Sequence, residues 1–461
     1  GYSYTVGPPD MMPVDMPLLY VSDKGKRDQY AESPGLGVTA LERYAAEGDG
    51  PRIPRELGRE KRDEYLQLLG PGGQGASGGD GQPVDGALQK APQAVMFDVY
   101  SDWEGSTIDP GSFLQVSATL AYEGEHTLLY VDEDTPPSCL TQAEAAQLGD
   151  AFDNGIYQTD RSAFGDESDI NSDGKVAILL SPVINLMTEP GAASTTGFIA
   201  GFFLPGDLLP AYLPAGATNG MEIFYTMVPD PEGLFGNVYE KTRALEVIRG
   251  VIAHEFLHMI MFNYRVLDYG DGVRADHLPE TWVNEGLAHI AEDLNGHFES
   301  NVARGGLFLA DPGAVSLIHG GDALVERGAA FLFFRYLGDR FGDSIFREIV
   351  QSRSVGIANI ELATGMDFFE LFADWASTLF LDGTGISDDE RFRFTSIDIR
   401  GDFEPVLVTT HDFDSGLASG EVNAMGPEYI SFSLGSGETI AIDVFSGPGS
   451  RMNILVLRTD H

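Results

Sequence analysis

Residues 254–258 read His-Glu-Phe-Leu-His. On a helix, positions i and i+4 share a face one turn apart, so the imidazoles of His254 and His258 can bind a single Zn²⁺. Glu255 stands beside them, where a carboxylate can take a proton from a water that the metal activates. Five residues make a short pattern, and two surface histidines on a structural helix would produce it as well. The flanks decide between these readings. VIRGVIA and MIMF are strongly apolar, so this helix is expected to be buried, and buried histidines need a partner or a metal.

A third ligand is available downstream. The stretch Trp282-Val-Asn-Glu-Gly-Leu-Ala-His-Ile-Ala-Glu-Asp293 places Glu285 27 positions beyond His258. The gap is rich in Gly and Asp between Asp268 and Glu280, enough chain to reverse and bring a second helix alongside the first. Leu287, Ile290, Ala291 and Leu294 form that helix's core stripe, while Glu285, Ala288 and Glu292 lie on another side. A metzincin requires Gly and His at the positions held here by Met261 and Tyr264, which excludes that class. Two histidines and a later glutamate remain. Near Glu285 in sequence, Asn284, His289 and Glu292 are candidates to orient the ligands from behind, with Asp293 close by.

Residues 254–293, HEFLHMIMF…TWVNEGLAHIAED, resemble the gluzincin metallopeptidases, and within them the hyicolysin-type bacterial family. The segments FGDESDINSDGKVAILLSPV (164–183), FIAGFFLPGDLLP (198–210), EIFYTMVPDP (222–231) and RGAAFLFFRYLGDRFG (327–342) are similar to that family too, so the resemblance covers roughly residues 95–385. It implies a zincin-like fold, one catalytic Zn²⁺ and endopeptidase activity in a secreted or surface protein. It also implies His254, His258 and Glu285 as ligands and Glu255 as general base. The oxyanion donor departs from the pattern. Aminopeptidase-type gluzincins carry a tyrosine before a Glu-Lys-Gly stretch, whereas Val325 precedes Glu-Arg-Gly here. Tyr264, Tyr269, His277 and His319 are the candidates left for that role.

A second acidic pattern, Asp169-Ile-Asn171-Ser-Asp173-Gly174, matches the first half of a calcium loop. Position 12 is Leu180 rather than Glu, and a strand follows, so this is no EF-hand. A partial Ca²⁺ loop and a polar turn leading into the strand at Val176 are the two readings.

The elements around these residues give an α+β body. β-like runs cover 95–100, 114–122, 127–131, 176–182 and 222–228. Helical periodicity covers 141–152, 239–264, 281–295, 329–341, 346–351 and 368–381. After about residue 402 strands take over (406–410, 429–434, 439–445, 452–458), separated by Gly/Ser turns. The expected organisation is an N-terminal arm or propeptide-like segment over 1–90, a zincin-like catalytic domain over 91–402 and a small all-β module over 403–461. The arm includes short helices over 39–47 and 54–69 and a Gly-rich linker over 70–86.

Composition narrows the partners. Lys and Arg total 28 against 71 Asp and Glu, a formal net charge of −43, which excludes nucleic acid as a partner. Lysine occurs only six times, and an acid-rich, lysine-poor surface suits a saline or extracellular setting. Cys139 is the single cysteine, so no intramolecular disulfide forms. No run of 18 apolar residues exists to span a membrane. A chain opening on Gly1 reads as mature and processed. The expectation is thus a secreted zinc endopeptidase acting on protein or peptide substrates, with homo-assembly open. The rivals are an aminopeptidase on the same scaffold, which lacks an amine-holding motif here, and a catalytically silent scaffold serving as an adhesin or filament subunit.

Overall fold

The computed structural model describes residues 2–7, 22–23, 54–55, 94–101, 110–191, 198–267, 277–318, 323–403, 406, 408–411, 418–422, 425–434 and 443–446. The chain divides into two compact units, one drawn from 51–300 and 343–359, the other from 1–50, 301–342 and 360–461. Helices and a mixed sheet together make the fold α+β.

The first unit is organised by a six-stranded sheet. Its strands are β1 (Ala94–Tyr100), β2 (Phe113–Glu123), β3 (Thr127–Asp132), β4 (Val176–Leu180), β5 (Gly201–Phe203) and β6 (Ile223–Thr226). Their spatial order is β1-β2-β3-β4-β6-β5. The first three are antiparallel, β3–β4 and β4–β6 are parallel, and β5 runs antiparallel along the edge of β6. β4 reads VAILL and is buried at every position, as a central strand covered on both faces must be. The edge strand β5 lies inside the apolar stretch 198–213, where Gly201 and Pro205 read as breaks in the sequence. Pro205 follows the strand and opens a single 3₁₀ turn over Pro205–Leu208.

Beside a short helix at Pro182–Leu186, five longer helices are described in this unit. α1 (Gln142–Ala151) starts at a capping box in which Thr141 and Glu144 bond each other's backbone N–H. A π-helical turn leads from it into α2 (Tyr157–Ala163). α3 (Lys241–Phe262) carries the His-Glu-Phe-Leu-His motif, and α4 (Thr281–Leu294) packs along it. From Val251 to Phe262 every residue of α3 except His258 is buried, which its apolar flanks require. α5 (Ser344–Gln351) is held at its C-terminus by the buried Arg265, whose guanidinium donates to the carbonyls of Ile349, Val350 and Ser354. The same guanidinium donates to His277 O at 3.4 Å, which brings the two sides of the 268–276 gap together ahead of α4.

The second unit contains the helices Leu324–Phe341 and Phe368–Leu381. Trp375 anchors its core, with Phe308 stacked at 5.8 Å and Phe333 edge-on at 5.5 Å between ring centroids. Strand Tyr2–Gly7 lies between Ala418–Val422 and Asp443–Ser446, antiparallel to both. Ile430–Leu434 pairs in parallel with Thr409–His411 and with Ser22–Asp23. Of the segment 1–90, Tyr2–Gly7, Ser22–Asp23 and Pro54–Arg55 are described, all as strands. The helix expected from 54 is thus corrected at its start: Pro54–Arg55 pair in parallel with Phe198–Ile199, and a short outer strand tolerates a proline. The helix expected over 39–47, the linker 70–86 and the strand expected over 452–458 lie outside the described residues. Among the described residues no helix is long and apolar enough to cross a membrane.

One close approach ties the sheet edge to the motif helix. A Cβ on Gly201 would stand 2.5 Å from Val251 Cγ1 and 2.6 Å from Tyr225 O, so only glycine lets α3 settle against β5. Gly201→Ala is expected to overpack this contact, lowering stability by about 1–3 kcal/mol in urea unfolding. A variant as stable as the parent would refute the close-packing argument.

The turn that follows β5 rests on Asp207, which accepts hydrogen bonds from Tyr225 Oη, Asn219 N and Asn219 Nδ2. Burial pushes its carboxyl up to about 7, and these donors offset only part of the rise. The folded state therefore holds this proton more tightly than the unfolded chain. The associated stability is full below the ordinary carboxylate range and is lost as pH rises through about 7. Asp207→Asn is expected to flatten the fall of stability between about pH 4 and 7. An unchanged slope in pH-dependent urea unfolding would count against it.

Candidate metal centre

Each residue of the motif faces a different neighbour, because consecutive positions on a helix are about 100° apart. His254 and His258 face α4. Glu255 faces the sheet edge, where its Oε2 accepts the Phe203 N–H of β5 at 2.8 Å. Phe256 points into an aromatic cluster, edge-on to Phe152 (5.0 Å) and stacked on Tyr157 (5.6 Å). That cluster fixes the rotation of α3 about its axis and so aims the histidines.

α4 supplies the other half. Glu285 Oε2 lies 3.4 Å from His254 Nε2, and its Oε1 lies 3.7 Å from His258 Nε2. His254, His258 and Glu285 thus present ligand atoms all within 4.8 Å of one another. The back of each imidazole is also held. His254 Nδ1 is 2.7 Å from Glu292 Oε1, and His258 Nδ1 is 3.2 Å from Asn284 Oδ1. A carboxylate or amide oxygen only accepts, so each Nδ1 stands as the donor and each Nε2 is turned toward Glu285. Two ligand atoms about 2.1 Å from one tetrahedral Zn²⁺ lie about 3.4 Å apart. The Nε2–carboxylate separations match that value, and two imidazoles with a carboxylate are a zinc donor set, so these residues fit the ion.

Access is one-sided. His254 is fully buried and Glu285 nearly so, whereas the His258 side chain keeps 12% exposure, so the centre opens on the His258 side. A second group able to hold a metal comprises His254, His289 and Glu292. There Glu292 Oε1 sits 2.7 Å from His254 Nδ1 and 2.9 Å from His289 Nδ1, which are hydrogen-bond lengths.

Of the other sequence candidates, Tyr264, His277 and the 169–173 loop are described. The Tyr264 hydroxyl accepts Asp166 N at 3.1 Å and packs at Gly165, carried there by the π-helical turn that follows α3. His277 Nδ1 bonds Arg353 O at 2.6 Å. Tyr269 and His319 lie outside the described residues. Asp169, Asn171 and Asp173 accept Gly174 N, Asp173 N and Lys175 N respectively, closing a turn with positive φ at Ser172 and Gly174. Among the described residues, the groups able to hold a metal all include His254 and none includes this loop. The backbone contact from Phe203 to Glu255 was not read from the sequence, since nothing in residue identity marks a main-chain donor.

No family model matches the chain. Over 246 residues it is 27% identical to the neutral metalloprotease ShpI of Staphylococcus hyicus, a match covering 51% of this chain and 51% of that protein. The chain thus spans about half the length of the curated relative it matches. The likeness supports a metalloprotease family without selecting the gluzincin subtype.

Asn284→Leu removes the acceptor behind His258 while preserving side-chain bulk. It is expected to weaken zinc affinity about tenfold or more in chelator competition. Parental affinity would show that this contact does not orient the ligand.

Proposed function

We propose that this protein is a zinc-dependent endopeptidase of the gluzincin type. Three residues, His254, His258 and Glu285, would hold the ion. The observation that carries this reading is the convergence of two Nε2 atoms on one carboxylate, each imidazole fixed from behind by its own acceptor. Likeness to a neutral metalloprotease supports it independently.

Zinc in this site would supply Lewis acidity toward the scissile carbonyl and make a water acidic enough to ionise near neutral pH. The protein's own part falls to Glu255. Its carboxylate is nearly fully buried, and the Phe203 N–H fixes one oxygen. In this reading it would accept the proton of the attacking water and return it to the leaving amine. A base held this way needs no rearrangement between the two transfers. The opening beside His258 would admit an extended peptide. The zincin-like body would rest on the six-stranded sheet with α3 and α4, and the strands from Thr409 to Ser446 would form the terminal β module. The acidic, lysine-poor composition supports a secreted protein acting on proteins or peptides.

The test compares wild type with Glu255→Gln for zinc content and for casein hydrolysis. One zinc per chain in both proteins, with cleavage lost by about 10³-fold or more in the variant, is the expected result. Zinc without cleavage in wild type would favour a silent scaffold. Wild type without zinc would remove the proposal.

A further inference from the structure

We propose that His289 is a positioning residue of the metal centre, acting on His254 through Glu292. This rests on the preceding reading of His254, His258 and Glu285 as the zinc site. Two imidazoles, one from each helix, meet on a single carboxylate oxygen: Glu292 Oε1 is 2.7 Å from His254 Nδ1 and 2.9 Å from His289 Nδ1. All three side chains are buried, with His254 and His289 wholly removed from solvent. His289 and Glu292 are three residues apart on α4, so their bond lies within one turn, while His254 reaches them from α3.

The geometry has a directional consequence. One carboxylate oxygen has two acceptor sites, and here both face an imidazole Nδ1. Each Nδ1 must therefore carry the proton. For His254 this leaves the lone pair on Nε2, 3.4 Å from Glu285 Oε2. A glutamate with one donor could rotate about its terminal torsion and present its other oxygen, or turn from His254 altogether. The second donor, from the same helix, removes that freedom. His289 thus holds Glu292, and Glu292 holds His254 in the ring orientation and tautomer that zinc requires. The separations of 2.7 and 2.9 Å are shorter than the roughly 3.4 Å between two ligands on one tetrahedral zinc, which favours hydrogen bonds over a second metal here.

The test uses the full chain with His289→Leu, which fills the space without a donor, and His289→Asn, whose amide N–H can stand where Nδ1 stood. Zinc affinity is measured by chelator competition. The His254 tautomer is read from two-bond ¹H–¹⁵N correlations in the zinc-free protein, and thermal unfolding of the zinc-free variants reports on packing. His289→Leu should bind zinc about 10–100-fold more weakly and lose the pure Nδ1–H signature of His254, with His289→Asn restoring most of both. Parental affinity and an unchanged signature in His289→Leu would overturn the inference while leaving the zinc reading intact. Equal losses in both variants with a matching fall in melting temperature would overturn it in favour of packing. Two zinc ions in wild type, one of them lost in both variants, would overturn it by making His289 a ligand. A wild type that binds no zinc removes the underlying reading, and the inference with it.

Discussion

Two helices that bury imidazoles and carboxylates against each other leave those groups little besides one another to bond. An unmade hydrogen bond in such a place costs about 1–3 kcal/mol, and an isolated charge costs more. α3 and α4 meet this constraint in one register. His254 meets Glu292, His258 meets Asn284, and Glu285 stands between the two Nε2 atoms. Advancing α4 by one residue would turn it by about 100° and break all of these pairs together. The apolar faces supply the attraction between the helices, but they would tolerate several alignments. Polar pairing selects one of them.

The sheet enters through its edge. Gly201 lets α3 approach β5 closely, and one turn further along the helix that closeness allows Glu255 to reach the Phe203 N–H. About 100° round the helix, Phe256 is enclosed by Phe152 and Tyr157, a burial worth about 1.5–3 kcal/mol. The helix is therefore gripped from two directions. Its chemistry-bearing face inherits its orientation from residues that take no part in chemistry. Arg265 extends this scaffold, since its contacts with His277 O and the end of α5 set where the chain re-enters ahead of α4.

Much of this was legible in the sequence because helical spacing is a strong constraint. The i, i+4 pair, the apolar flanks and the core stripe 287–290–291–294 mark which face of each helix turns inward. Asn284, His289 and Glu292 could be singled out by proximity to Glu285, but not given distinct tasks. Which imidazole each one meets depends on how the two helices are aligned, and spacing along one helix does not contain that. Tyr264, six residues past His258, was one of four candidate oxyanion donors. The π-helical turn over Asn263–Leu267 changes the angular step and delivers its hydroxyl to Asp166. The edge strand β5 was hidden by Gly201 and Pro205, residues that read as breaks but here permit close packing and end a strand. In the D-x-N-x-D-G segment, Asp169, Asn171 and Asp173 accept backbone N–H groups of their own turn, a bonding pattern that the motif's letters do not specify.

The strand Tyr2–Gly7 sits in the middle of its sheet, yet both of its neighbours come from the far end of the chain. During synthesis its hydrogen-bonding edges must wait until residues 418–422 and 443–446 have left the ribosome. Pairings of such sequence separation are slow to close, and an unpaired strand is exposed to capture by other chains while it waits. The sheet that holds this strand is thus completed only after residue 446 has emerged. The α3–α4 pair, contiguous within residues 241–294, can assemble long before that.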